Sequence, residues 1–428
     1  MNQNHKDRSL ASTYILFIVT SFWAYGELTI ACEFAQRSRK AGYQPIFLIP
    51  PTHKKLIENY QFHYITLLPR NGKINRMLFM DIEHRYHPKL ILLADFLNYN
   101  FCEKHYGLTP EDLAVFHGRL GTFDDFDWAI TGDHMDTYGF KAKKFGEIDV
   151  RSYGFSLCPC PVVNPEGTDR KETYHYRLVN QTLPYDYRNT EYWKAKLGLN
   201  KNRKLILFTS AAWQESYKQY PDVVQFVEAC NQVFRNILKQ LAKHHTVLCI
   251  GNEGFFSENN EENIIFKQSL PPDQFNQYLL ATDLYVSRNF VSTSLARAVL
   301  SGIPAVNFEN AIRFHKDRPF RPEQLPYKLT DFALEQLTKL QRCYRYRMFP
   351  VGWYHFLNPL YKNNPYLKTF VQIEQFDITG ALEQMNTILE STHRKEVLLQ
   401  NINHYSKQLE SLPDVSTILK ELIHGRMG

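Results

Sequence analysis

ATDLYVSRNFVSTSLARAVLSGIPAVNF, residues Ala281–Phe308, is the stretch whose reading decides the fold. Leu284-Tyr285-Val286 is a short apolar run between Asp283 and Ser287 and reads as a buried strand. Polar residues Arg288, Asn289, Ser292 and Thr293 follow, and then Leu295–Leu300 at helical spacing. Gly302 stops that helix, Pro304 follows as expected beyond a C-terminus, and Ala305–Phe308 opens a further strand. A strand–turn–helix–strand unit of this kind belongs to an α/β fold with parallel strands. Its turn lies at the carboxyl edge of the sheet, where open α/β folds bind ligands. Ser292, Thr293 and Ser294 stand at the helix N-terminus, whose free N–H groups and dipole favour an anion. They read equally well as ordinary caps.

The chain opens in the same way. Tyr14–Thr20 is an apolar run rich in β-formers, Ser21–Glu27 makes a turn, and Leu28–Ala41 has helical periodicity. Gly42 ends the helix and Pro45–Ile49 resumes as a strand. Further strands read at Tyr64–Leu68, Leu90–Phe96 and Trp128–Thr131, the last running into Gly132-Asp133-His134-Met135-Asp136. Ser156–Glu166 holds three prolines and reads as extended. A second α/β series begins at Leu205–Thr209, followed by a long helix over Asp222–Ala242 and a strand at Thr246–Ile250. Ile264–Phe266 and a helix over Pro271–Leu280 lead into the quoted stretch.

These spans set a domain plan. Residues 1–166 form a first Rossmann-like domain, 167–203 a connecting region, 204–380 a second Rossmann-like domain, and 381–428 C-terminal helices that lean back across both. A length of 428 residues exceeds what one hydrophobic core usually serves. The segment 312–376 is crowded with Arg, Tyr, Phe and Asn-Pro turns and reads as an insertion packed on the second domain. A lid over the cleft and weak association with a membrane surface are the competing readings.

Composition narrows the function. A net charge of +6, spread along the chain, suits an anionic ligand and does not point to nucleic acid. Seven scattered cysteines make neither a zinc site nor a disulfide framework, so a reducing, cytoplasmic setting is expected. Tyr14–Trp23 is roughly half the length of a membrane span and is read as a first strand, with no signal peptide. Walker, HExxH, GxSxG and GxGxxG patterns are absent, which disfavours P-loop NTPases, zincins, serine hydrolases and dehydrogenases.

The quoted stretch resembles the donor-binding segment of GT-B glycosyltransferases, the superfamily of the UDP-glycosyltransferases and the lipid-II glycosyltransferase. Asp283, Ser287–Ser294 and Gly302-Ile303-Pro304 carry the resemblance, as does the order of elements over residues 204–310. The family has glycines where this chain has Arg288 and Asn289, and often histidine where Glu27 follows Gly26. The resemblance implies two doubly wound, Rossmann-like domains facing across a cleft. It also implies transfer of a sugar from a nucleoside-diphosphate sugar to a small-molecule, lipid or peptide acceptor, a biosynthetic step without a bound cofactor. Glu27 is the expected general base, with Asp133 and His134 in reserve. Ser210, Trp213, Asn252, Glu253, Arg288, Asn289, Ser292, Thr293 and Ser294 are the expected donor-binding residues, Arg288 as a bidentate phosphate contact. Each has a plainer reading: Glu27 as a first-turn acid that complements the helix dipole, Arg288 as half of a salt bridge, Asp133 and His134 as a solvated loop.

Metal independence is expected because no DxD motif stands at a strand end; Asp124-Asp125 and Asp127 read as preceding a strand. Two alternatives stay open, a nucleotide-sugar 2-epimerase of the same fold and a non-catalytic binding protein. Sequence leaves the sugar, the acceptor, the stereochemistry and the oligomeric state undetermined.

Overall fold

The computed structural model describes residues 13–22, 25–100, 102–125, 152–166, 171–179, 189–210, 221–251, 262–268, 270–310, 312, 320–340, 360–361 and 363–425. The strands of the first half are β1 (Tyr14–Ile18), β2 (Gln44–Ile49), β3 (His63–Thr66), β4 (Leu90–Leu93), β5 (Arg119–Phe123), β6 (Ser156–Cys160) and β7 (Thr173–Arg177). Those of the second are β8 (Leu205–Thr209), β9 (Thr246–Ile250), β10 (Ile264–Lys267), β11 (Leu284–Ser287), β12 (Ala305–Glu309) and β13 (Val371–Glu374). The helices of the first half are α1 (Gly26–Lys40), α2 (Lys54–Tyr60), α3 (Gly72–Tyr86), α4 (Phe96–Asn100) and α5 (Glu103–Tyr106). Then come α6 (Thr190–Lys196), α7 (Pro221–Ala242), α8 (Pro272–Ala281), α9 (Thr293–Leu300) and α10 (Asp331–Leu340). The chain ends with α11 (Ile378–Glu390), α12 (Thr392–Glu410) and α13 (Val415–His424).

Two parallel sheets result, in the orders β3-β2-β1-β4-β5-β6-β7 and β10-β9-β8-β11-β12-β13. Counted from its own first strand, each sheet begins third–second–first–fourth–fifth–sixth, the doubly wound order. The order reverses between β1 and β4 in one sheet and between β8 and β11 in the other, which marks two switch points. Parallel strands covered on both faces need unbroken apolar runs. Ile15–Phe17, Leu90–Leu93, Ile206 and Leu207, and Leu284–Val286 accordingly have no exposed surface.

The quoted stretch folds as read, into β11, α9 and β12. Two strands go beyond the sequence reading. Strand β7 pairs with β6 throughout, so the first sheet continues into the stretch that reads as a connecting region. Strand β5 was not expected; it is short, and Gly121 lies under the Phe155 ring, where a Cβ would come within 2.4 Å of that ring. The expected strand at Trp128–Thr131 lies outside the described residues.

The C-terminal helices divide between the two halves. Helix α11 packs on α7 of the second half, whereas α12 bridges and α13 reaches α1. The Tyr405 hydroxyl donates to the Pro161 carbonyl at 2.7 Å, and Arg119 donates to the Leu422 carbonyl at 3.1 Å. Within the segment 312–376, α10 packs on α7 and β13 completes the second sheet.

Candidate active site

At the first switch point, β1 leads into α1 and β4 leads into α4. Glu27 occupies the first turn of α1, whose N-cap residue Tyr25 makes no side-chain cap bond. Its Oε2 atom is sealed from solvent and has no hydrogen-bond partner. Burial, then the negative charge of Asp95, raise the Glu27 carboxyl from 4.5 to about 7, against a smaller opposing pull from its own backbone N–H. The sequence reading expects the helix dipole to keep this group ionised. The dipole is worth about 0.3–1 kcal/mol, and desolvation beside a like charge outweighs it.

Asp95 follows β4 and accepts from the Asn98 backbone N–H at 3.2 Å, which turns the chain into α4. Asp124 and Asp125 follow β5 directly, on the same carboxyl edge. Asp124 is buried, and Asp125 has a sealed, unpartnered Oδ1. Burial and the charges of Asp95, Glu27 and Asp124 push the Asp125 carboxyl well above its ordinary value. Asp124 and Asp125 thus follow a strand that the sequence reading did not contain; Asp127 and the strand expected at Trp128–Thr131 lie outside the described residues, and Asp125-Phe126-Asp127 is a DxD sequence. Among the described residues no three His, Cys, Asp or Glu side chains are grouped to hold a metal ion.

The second switch point has a different character. Tyr285 of β11 is fully buried and its hydroxyl lies 2.5 Å from Thr209 Oγ1 at the end of β8. Burial raises the Tyr285 phenol to about 12, against opposing hydrogen bonds with Thr209, Ser294 and Ser292. Ser292 is the N-cap of α9 and accepts from the Leu295 N–H at 3.4 Å. Thr293 and Ser294 form the first turn, and the Ser292 N–H ahead of them donates to the Asn289 carbonyl at 3.1 Å. Asn289 accepts from the Val291 N–H at 3.2 Å and shapes the preceding turn.

Arg288 is 3% exposed. Its Nη1 donates to Asn231 Oδ1 of α7 at 2.6 Å, and its guanidinium lies 5.0 Å from the Phe234 ring centroid. The structure thus gives it buried partners on α7. Ser210 stands at the end of β8 against Gly251, whose φ of +135° and 2.2 Å separation between an added Cβ and the Ser210 carbonyl allow only glycine. Asp283 lies at the amino end of β11, away from this edge. It accepts from the Leu205 N–H at 2.7 Å and pairs with buried Lys194 at 2.6 Å, clamping α6 to the second sheet. Asp133, His134, Trp213, Asn252 and Glu253 lie outside the described residues.

Sequence reasoning missed Asp95, Asp125, Thr209 and Tyr285. Asp95 carries the signal that selected Glu27, a carboxylate just past an apolar run, but reading the strand on to Phe96 hid it.

Helices α1 and α9, which start from the two switch points, touch through an ion pair between Glu33 and Arg297. Arg297 also reaches Asn276 of α8 at 3.4 Å.

The model of a family described as "Family of unknown function (DUF6365)" matches residues 34–428. The chain belongs to that family. No curated protein sequence matches it. Solved structures match over nearly the whole chain. The spinosyn rhamnosyltransferase SpnG, complexed with thymidine diphosphate, aligns with a TM-score of 0.51 at 10% identity, covering 96% of this chain and 99% of SpnG. Anabaena Alr3699/HepE, in complex with UDP and glucose, gives 0.51 at 13% identity, with 96% and 98% covered. A glycosyltransferase from Rickettsia africae ESF-5 gives 0.52 at 11% identity, with 96% and 99% covered. At such identities the likeness is one of fold: two Rossmann-like domains in the GT-B arrangement.

Proposed function

We propose that this chain is a glycosyltransferase that moves a sugar from a nucleoside-diphosphate sugar to a hydroxyl of a small-molecule, lipid or peptide acceptor. The observation that carries the reading is the sealed Glu27 carboxyl at the β1/β4 switch point, set near neutral pH by burial and Asp95. A base works best when its pKa lies near the operating pH. Ionised Glu27 takes the proton of the acceptor hydroxyl as that oxygen bonds to the anomeric carbon. The bond from the anomeric carbon to the diphosphate breaks, and the diphosphate leaves with the electron pair.

The start of α9 is the matching place for the diphosphate, with the backbone N–H groups of Thr293 and Ser294 as donors. Ser210 and Asn289 border that place, and Arg288 acts through Asn231 and α7 as a scaffold residue. Asp133 and His134, and on the donor side Trp213, Asn252 and Glu253, keep the roles proposed for them from sequence. The thymidine diphosphate and UDP named with the structural neighbours support a nucleotide donor here. Metal independence remains part of the proposal, with the Asp125-Phe126-Asp127 strand end as its direct challenge. The free, buried cysteines among the described residues support a reducing, cytoplasmic setting.

Incubation with a panel of nucleotide sugars, with and without chelator, tests the reading. Transfer or slow hydrolysis that survives the chelator is expected. Epimer formation would assign the 2-epimerase reaction, and tight binding without turnover would make the chain a binding protein. Loss of activity with chelator and recovery with magnesium or manganese would overturn metal independence.

A further inference from the structure

Six large hydrophobic side chains stand exposed among the described residues; three of them lie on one helix and a fourth, Leu68, on the loop that leads into it. Leu68 is 38% exposed, Ile74 39%, Met77 54% and Met80 53%. Ile74, Met77 and Met80 recur at intervals of three along α3 and share its outer face, while Phe79 and Ile82 fill the inner one. Isolated exposed hydrophobics need no explanation, but a cluster of them marks a contact surface. The cluster is held in place. Asn75 accepts from the Leu68 N–H at 2.8 Å and donates to the Leu68 carbonyl at 2.8 Å, which pins the loop to the helix. Arg70 sits in the left-handed region with its N–H on the His105 carbonyl at 2.6 Å.

The polar groups around the cluster are mostly basic. Arg70, Lys73, Arg76 and His84 are exposed on the loop and helix. Of the nearby acids, Asp81 is paired with Arg85 at 2.7 Å, and Asp112 lies 3.9 Å from Arg76. Apolar side chains flanked by lysine and arginine match the boundary between headgroups and acyl chains, with the bases at the phosphates. A symmetric pairing of two copies through this face would instead bring bases against bases.

We propose that the Leu68–Met80 face of α3 docks on an anionic membrane surface. Its edge-proximal end, Leu68–Ile74, follows β3 on the same sheet edge that carries Glu27. No helix among the described residues is long and apolar enough to cross a membrane, so the contact is peripheral. The inference does not depend on the transfer reaction.

Sedimentation of the full chain with phosphatidylglycerol–phosphatidylcholine vesicles, and with phosphatidylcholine alone, tests it. Binding to the anionic vesicles and its loss at high salt are expected. Met77→Asp with Met80→Asp should abolish binding, and Lys73→Ala should weaken it roughly fivefold, the share of one base near such a surface. Met77→Ser with Met80→Ser is the milder control, and an unchanged melting temperature shows that the fold is kept. Failure of the wild-type chain to bind, or undiminished binding by the aspartate variant, would overturn the proposal. A concentration-dependent dimer that the aspartate variant dissolves would overturn it in favour of a second copy on this face.

Discussion

At the β1/β4 switch point the chain places carboxylates with sealed, unpartnered oxygens, whereas at β8/β11 it places hydroxyls, amides and a guanidinium engaged with one another. The sheets share a strand order, so topology does not cause the difference. Glu27 and Asp125 stand among like charges and lean toward their neutral forms. Thr209, Tyr285 and Ser292 bond within the domain, as does Arg288 through Nη1, and what this edge offers a ligand is the backbone at the start of α9. A group to be used in proton transfer must be kept out of a stable ion pair. A group that only shapes a binding surface is best locked. The two edges differ as a reacting side and a holding side would.

The sharpest way to break this contrast is Glu27→Gln. Turnover should fall roughly 10²–10⁴-fold, the usual worth of acid–base assistance, while donor affinity barely changes. Steady-state kinetics beside calorimetric donor binding reads both quantities. Retained turnover would hand the role of base to Asp133 or His134.

The same residue makes a prediction about stability. With the folded carboxyl near 7 and the unfolded one near 4.5, the native state holds the extra proton between those values. Stability contributed by the protonated form is therefore present at the acid end and is lost as pH rises through about 7. Glu27→Gln should flatten that slope and, at alkaline pH, stabilise the fold by on the order of 3 kcal/mol. Denaturant unfolding at several pH values checks it; a variant less stable than wild type at alkaline pH would show that Glu27 serves the helix dipole.

On the holding side, Arg288→Ala should cost about 1–3 kcal/mol of stability, because buried Asn231 loses its donor. Nucleotide affinity should change little. Large loss of nucleotide affinity with stability intact would move Arg288 into the ligand site and erase the contrast. The smallest effect is expected where the sides meet. Glu33→Gln weakens the partly exposed α1–α9 ion pair and should cost about 1 kcal/mol, read as a drop in denaturation midpoint that Arg297→Gln fails to deepen.

Much of this was legible in the chain, because buried parallel strands announce themselves as apolar runs: β1, β8, β9 and β11 are read almost to the residue. Strand β5, Arg-Leu-Gly-Thr-Phe, has no such run, since Gly121 makes room for Phe155 and Arg119 faces the C-terminal helix. Missing it hid that Asp124 and Asp125 follow a strand on the carboxyl edge, and with them half of the carboxylate cluster. The partners that hold Arg288 were not legible for a related reason: Asn231 and Phe234 lie 57 and 54 residues away on α7 and leave no local mark.

The most direct test of the division between the two edges is hydrogen exchange with and without a nucleoside diphosphate. Protection of backbone amides at the start of α9, Thr293–Leu295, with α1 and the end of β5 unchanged, is the predicted result. Protection confined to Glu27–Ala31 and Phe123–Asp125, with α9 unaffected, would contradict it.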